Sequence, residues 1–122
     1  MNIKKLIADA EGGDAWSQND LGDCYKNGRD VKQDYDKAFY WYQKSAEQGF
    51  ASAQNDLGDC YFHGFGTDID YEKAVFWYLK SAEQGFDLAM HSLAACYENG
   101  DGVPVDKEKA EYWYKLARNS EW

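Results

Sequence analysis

The sequence predicts an all-α protein of three stacked helical repeats, and two observations carry this prediction. Residues 19–25, Asn-Asp-Leu-Gly-Asp-Cys-Tyr, return unchanged 36 residues later as residues 55–61 and again, altered, as residues 91–97. Self-similarity at a fixed period of about 20–50 residues is the signature of stacked repeats. Within each copy, apolar residues recur at spacings of three and four, which is the pattern of an amphipathic helix.

We expect a single domain over residues 1–122, because this is the usual length of one domain. Its predicted parts are an N-terminal capping helix in residues 1–13 and repeats in residues 14–49, 50–85 and 86–122, the last with a C-terminal cap. Caps are expected because the end units of a repeat stack would otherwise expose apolar surface. The capping helix is indicated by an apolar face formed by Ile3, Leu6, Ile7 and Ala10.

The first helix of each repeat is predicted over residues 14–27, 51–63 and 87–99. Each copy carries apolar residues four apart, which in the middle copy are Ala53, Leu57 and Tyr61. Gly58 follows the leucine, although glycine costs about 1 kcal/mol relative to alanine inside a helix. We infer that its missing side chain lets another helix approach closely, and that Ala94 takes this role in the third copy.

Each second helix is predicted to begin at an aspartate, because Asp34, Asp70 and Asp106 are good N-caps. The glycine-rich loops before them lack the strand and the Lys-Ser/Thr ending of a phosphate-binding loop. Their glycines are expected to serve tight turns that need positive φ. The Trp and Tyr residues of the second helices recur with helical spacing, and we expect them in the core. In the third copy the closing glycine is missing and residues 118–122 are more polar, as a terminal repeat should be.

The charge limits the partners of the protein. Thirteen Lys and Arg residues against 22 Asp and Glu residues give a net charge of −9. Such a surface repels phosphate backbones and anionic lipid, so we expect neither nucleic acid nor membrane as a partner. It favours another protein with a basic surface, the alternative being that the charge serves solubility alone.

The sequence also predicts a cytoplasmic protein. No stretch reaches the roughly 18 apolar residues that a membrane helix needs. The N-terminal segment begins like a signal peptide, but Asp9 and Glu11 interrupt it before an apolar core can form. A periplasmic or secreted location stays open if a signal was removed.

The three cysteines, one per repeat, are expected to be free and buried. Equivalent helices in a stack lie about 8–10 Å apart, whereas a disulfide needs Cα atoms within about 7 Å. Cys24, Cys60 and Cys96 are therefore expected to act as small apolar side chains.

Catalytic signals are few. The two histidines, His63 and His91, have neither a cysteine nucleophile in a recognisable pattern nor a Glu-x-x-His pairing. Capping and solubility account for the repeated carboxylates. We expect no enzymatic activity, no metal site and no cofactor.

The residues of the repeat resemble a known family. The pattern Ala-x-x-x-Leu-Gly-x-x-Tyr-x-x-Gly-x-Gly, then Asp-x-x-Lys-Ala-x-x-Trp-Tyr-x-Lys-x-Ala-x-x-Gly, is similar to the Sel-one-like repeat (SLR), a relative of the tetratricopeptide repeat with a longer loop. The departures are local: Ser17 stands in place of alanine, and Asp30 and Ala94 in place of glycine. The middle copy carries almost the whole pattern, at Ala53, Leu57, Gly58, Tyr61, Gly64, Gly66, Asp70, Lys73, Ala74, Trp77, Tyr78, Lys80, Ala82 and Gly85.

This resemblance implies an α-solenoid of antiparallel helix pairs whose first helices line a concave face. It also implies a non-catalytic protein–protein interaction module, an adaptor or scaffold, that holds a protein or peptide in its concave groove. The alternatives are a small acidic immunity or inhibitor protein that neutralises a basic toxin or enzyme, and a structural assembly unit. We expect a monomer.

Side chains on the outward side of the first helices are predicted to form this protein-binding groove, the alternative being a solvated helix face. Two rows, of Asn19 with Asn55 and Asp23 with Asp59, are expected, together with an exposed aromatic anchor at Phe62. Tetratricopeptide relatives use these helix positions for ligands. The resemblance thus extends the expectation to the full set of Trp16, Asn19, Asp23, Lys26, Asn27, Ser52, Asn55, Asp59, Phe62, His63, His91 and Glu98.

Overall fold

The computed structural model describes residues 2–119, and this part of the chain is all-α, as predicted. Its seven helices are α1 (Ile3–Glu11), α2 (Ala15–Asn27), α3 (Tyr35–Glu47), α4 (Ala51–His63), α5 (Tyr71–Glu83), α6 (Asp87–Asn99) and α7 (Lys107–Asn119). Residues 120–122, which hold part of the predicted C-terminal cap, lie outside the described residues.

Helices that are neighbours in sequence are neighbours in space. Three hairpins form from α2 with α3, α4 with α5 and α6 with α7, and the hairpins stack through contacts of α3 with α4 and of α5 with α6. The helix α1 packs on α2. This arrangement of units that mainly contact their neighbours is that of a solenoid.

Polar caps and glycines fix the helix ends where the sequence predicts them. The carboxylates of Asp34, Asp70 and Asp106 each accept a hydrogen bond from the backbone N–H three residues later, at 3.0–3.1 Å. The first helices end at left-handed glycines with φ between 70° and 78°, namely Gly28, Gly64 and Gly100. Each hairpin therefore turns at a position that disfavours a side chain.

The core contains one leucine and one cysteine from each first helix, all buried: Leu21, Leu57, Leu93, Cys24, Cys60 and Cys96. Tyr42 and Tyr78 are also buried, being 1% and 2% exposed. The expectation that the tryptophans of the second helices are also buried in the core is only partly correct. They are half-buried and pack against the core from outside, at Trp41, Trp77 and Trp113.

The helical glycines leave room for the buried tyrosines. A Cβ atom on Gly22 would lie 2.6 Å from Tyr42 Cε1, and one on Gly58 would lie 2.7 Å from Tyr78 Cδ1. The close contact inferred from the sequence is thus made by a tyrosine ring of the second helix, which packs directly against the glycine of the first helix. In the third hairpin, where Ala94 replaces the glycine, the equivalent Tyr114 is only half-buried.

Asp30 stands in the first loop at the place where the other two loops have a glycine, and the surroundings of the loops explain this difference. Asp30 has a φ of 64°, and the equivalent Gly66 and Gly102 have φ of 73° and 74°. A Cβ atom on either glycine would collide with the carbonyl oxygen of Tyr35 or Tyr71, at the start of the preceding second helix. The helix before the first loop, α1, begins at Ile3, which is the counterpart of Phe39, so within residues 2–119 no carbonyl group equivalent to that of Tyr35 lies there and a side chain fits.

Candidate protein-binding surface

We call the surface of α2, α4 and α6 the first-helix face and that of α3, α5 and α7 the second-helix face. The predicted groove residues lie on the first-helix face at different depths. Exposed members are Trp16, Asn27, His63 and Glu98; half-buried members are Asp23, Lys26, Ser52, Asp59, Phe62 and His91; buried members are Asn19 and Asn55.

The predicted row of exposed asparagines is wrong, because Asn19 and Asn55 are each only 6% exposed. The side-chain amide of Asn19 instead donates to Asp56 Oδ2 at 2.8 Å, from α2 to α4. Stacking of the next repeat buries this position, which the pattern of a single helix does not reveal. The amide of Asn19 therefore links two repeats, and neither asparagine presents an exposed side chain to a partner.

The aspartate row is ordered by tyrosines of the second helices. Tyr42 donates its hydroxyl hydrogen to Asp23 Oδ1 at 2.6 Å, and Tyr78 donates to Asp59 Oδ1 at 2.5 Å. Burial raises the pKa of both tyrosine hydroxyls well above the usual value of 10, so they remain donors at neutral pH. The two carboxylates are thus held in one orientation at equivalent places of successive repeats.

The third repeat breaks this row. Ala95 stands where Asp23 and Asp59 stand in the other copies, and Tyr114 donates instead to Glu98 Oε1 at 3.2 Å. His91 lies beside that tyrosine, with ring centroids 5.9 Å apart. The carboxylate row is therefore confined to α2 and α4.

Sequence reasoning missed Asp56, which lies at the contact between the first and second hairpins. Burial raises the pKa of Asp56 to about 7, with further contributions from the charges of Asp23 and Asp59, against the hydrogen bond from Asn19. Its counterpart Asp20 instead pairs with Arg29 at 2.9 Å. Both belong to the repeated heptapeptide, so the strict repetition of an aspartate beside the core leucine is the signal that could have found them.

A pocket of about 190 Å³ opens between the second and third hairpins. Its wall includes the acidic residues Asp59 and Asp101 and the aromatic residue Phe62. Phe62 is half-buried rather than exposed, because its ring packs on Tyr71 at 4.9 Å and on His63 at 5.0 Å between centroids. The remaining lining residues are His63, Tyr78, Ser92, Ala95 and Asn99.

The second-helix face carries an aromatic row that was not among the predicted site residues. Tyr40, Phe76 and Tyr112 occupy equivalent positions and are 51–57% exposed. Lys44 and Lys80 cover the first two rings, with ammonium-to-centroid distances of 5.2 Å. These cations lie on the second-helix face, whereas the oriented carboxylates lie on the first-helix face.

Two further properties concern the chain from residue 2 to residue 119. Within it, no three His, Cys, Asp or Glu side chains are grouped so that they could hold a metal ion. None of its helices has the length and apolar character required to cross a membrane.

Comparison with protein-family models gives a match over most of the chain. The family model described as Sel1 repeat matches three times, at residues 17–50, 51–86 and 87–120. A search of curated proteins gives no significant match.

Several solved structures are similar to this chain, among them the following two. One is c5321, a protective antigen present in uropathogenic Escherichia coli strains that displays an SLR fold; identity is 37%, the TM-score is 0.95, and the match covers 100% of this chain. The chain spans only 26% of that antigen. The other is a Sel1 repeat protein from Oxalobacter formigenes, with 31% identity, a TM-score of 0.93 and coverage of 98% of this chain and 91% of that one.

Proposed function

The chain belongs to the Sel1 repeat family, and from that premise we propose that it is a non-catalytic module that binds another protein on its first-helix face. Sel1 repeat proteins are generally protein-interaction modules and are typically non-catalytic. The observation that carries the proposal is the pair of carboxylates, Asp23 and Asp59, that tyrosines orient at equivalent positions of two repeats.

The orientation of these carboxylates favours binding for a physical reason. A side chain that is already fixed loses little conformational freedom when a partner arrives, and this lowers the cost of association. A carboxylate also forms charge-assisted hydrogen bonds, which are about twice as strong as neutral ones. Asp23 and Asp59 therefore suit a partner that presents basic groups at the spacing of the repeat.

The whole-chain charge supports a basic partner. A net charge of −9 attracts a positively charged protein over distances larger than a hydrogen bond and raises the association rate. The lysines over Tyr40 and Phe76 lie on the second-helix face, whereas the cations whose charges act on Asp23 are Lys26 and Arg29. This separation favours the first-helix face as the binding surface.

We further propose that the module is a monomer in the cytoplasm. The core of its first hairpin is covered on one side by α1, whose Leu6 and Ala10 pack with Leu21 and Cys24. All three cysteines are free and buried, and burial raises the pKa of Cys60 to about 12. Unreactive reduced thiols suit a reducing compartment.

The test begins with capture of the partner from cells that express this chain and measures its association rate by biolayer interferometry. Asp23→Asn with Asp59→Asn removes two charges but keeps an oxygen that can accept from each tyrosine. Glu47→Gln with Glu83→Gln removes two exposed, repeat-equivalent charges at the ends of α3 and α5 and is the matched control. We expect a clearly slower association only for the aspartate pair, and equal rates for both pairs would contradict the proposal.

A further inference from the structure

The contact between the second and third hairpins, where this pocket lies, has a counterpart between the first and second, formed by residues 36 positions earlier in the chain. We call these contacts the first joint (hairpins 1 and 2) and the second joint (hairpins 2 and 3). A shift of 36 residues relates Lys26 to Phe62 and Phe65 to Asp101. The chemical group that fills the first joint therefore indicates which group the second joint can accept.

A lysine of the chain itself occupies the first joint. Lys26 extends from α2 so that its Nζ lies 5.1 Å from the ring centroid of Phe65, in the loop of the next repeat. Its charge opposes the rise in pKa that burial causes at Asp23 and Asp56, so the ammonium group acts on both carboxylates. The alkylammonium group thus lies over an aromatic ring, and its charge acts on two carboxylates of the same joint.

The second joint keeps the anionic surroundings but lacks the lysine. Asp59 is the counterpart of Asp23, and Asp101 adds a carboxylate where the first joint has a ring. Phe62 replaces the lysine, while the smaller Ser92 and Ala95 replace two aspartates. These replacements place a pocket of about 190 Å³ beside two carboxylates and an aromatic side chain.

We propose that this pocket receives one lysine or arginine side chain of the partner protein, in the role that Lys26 has in the first joint. This inference rests on the proposed function, because the proposed function is what makes the ligand a side chain of another protein. The volume suits a single side chain, because pockets for drug-sized ligands measure about 300–1,000 Å³. Carboxylates beside an aromatic face are the surroundings that bind alkylammonium and guanidinium groups.

The lining groups are held in place before a ligand arrives. The hydroxyl of Tyr78 fixes Asp59, as described above. The backbone N–H of Asp101 donates to Cys96 O at 3.0 Å, which fixes the loop after α6. Packing on Tyr71 fixes the ring of Phe62. A basic side chain that enters therefore meets an ordered site.

The test uses N-acetyl-lysine amide and N-acetyl-arginine amide as probes, with N-acetyl-glutamine amide as the neutral control, in NMR titrations of the ¹⁵N-labelled chain. We expect saturable shifts of the backbone amides of Ser92, Ala95 and Asp101 with the basic probes alone. Asp101→Asn should weaken this binding by about two- to fivefold, as expected for one partly exposed charge pair. Glu83→Gln, which removes an exposed charge elsewhere, should leave it unchanged.

Ala95→Gln provides a second variant, because it fills the pocket without changing the net charge. It should abolish the saturable shifts, while the unchanged dispersion of the other amide signals reports that the fold persists. Equal effects of Asp101→Asn and Glu83→Gln, or saturable binding to Ala95→Gln, would overturn the pocket assignment. The partner's dependence on Asp23 and Asp59 is measured separately, so the pocket assignment can fail while the proposed function stands.

Discussion

At the scale of single residues, the tyrosine–aspartate pairs connect the core to the candidate surface. Each ring fills the space left by a glycine, and its hydroxyl orients a carboxylate on the first-helix face. One side chain thus serves packing and positioning together. The sequence pattern marks Tyr42 and Tyr78 as apolar stripe residues but does not reveal the hydroxyl contact, since the two partners lie 19 residues apart on different helices.

Removal of one hydroxyl tests this connection. Tyr78→Phe should destabilise the fold by about 1–3 kcal/mol, because the half-buried carboxylate of Asp59 loses its donor. Chemical denaturation measures the change. Tyr112→Phe is the control, since Tyr112 is 57% exposed, and it should cost less than about 0.5 kcal/mol. Equal costs for the two variants would mean that the hydroxyl of Tyr78 has no special role.

The buried carboxylate of Asp56 predicts an unusual dependence of stability on pH. Its pKa is about 7 in the fold and 3.8 without the fold, so the folded state binds more protons between these values. The free energy of unfolding contributed by this group is therefore highest below pH 3.8 and falls as the pH rises to about 7.

Asp56→Asn should remove that fall and stabilise the protein at pH 8 by about 1–3 kcal/mol, since one pKa unit corresponds to about 1.4 kcal/mol. Denaturation curves at several pH values measure it. Asp20→Asn is the matched control at the equivalent position; it loses the ion pair with Arg29 and should not stabilise. A wild-type protein whose stability does not fall between pH 4 and pH 7 relative to Asp56→Asn would contradict the assignment.

At the scale of helices, local sequence signals predict most of the fold. Aspartate N-caps and left-handed glycines act within a few residues, so their effect is visible in the sequence, and the helix boundaries follow from them. Contacts between repeats are not local. The hydrogen bonds from Asn19 Nδ2 to Asp56 Oδ2 at 2.8 Å and from Gln54 Nε2 to Ala46 O at 3.3 Å could not be predicted, because they depend on how the hairpins stack.

The helical glycine provides a prediction at this scale. Gly58→Ala should destabilise the protein by about 1–3 kcal/mol, because the new Cβ atom would overlap the ring of Tyr78. Helix propensity alone predicts the opposite, a gain of about 1 kcal/mol. Thermal unfolding of the variant decides between the two effects. Ala94→Gly in the third hairpin is the companion change and should cost about 1 kcal/mol through propensity.

At the scale of the whole molecule, the proposed function depends on which face meets the partner. The two faces differ in chemistry: one carries oriented carboxylates and the other a row of exposed aromatic rings with lysines. The sequence predicted the carboxylate row from repetition, but it could not separate exposed from buried positions, and it placed Asn19 and Asn55 on the wrong side of that boundary.

Hydroxyl-radical footprinting of the chain, free and bound to its captured partner, distinguishes the two faces, because both carry aromatic side chains that report contact. We expect that oxidation of Phe62 and His63 on the first-helix face falls on binding, while oxidation of Tyr40, Phe76 and Tyr112 on the second-helix face stays unchanged. Protection of those three rings with unchanged oxidation of Phe62 and His63 would place the partner on the second-helix face and rule out binding on the first-helix face.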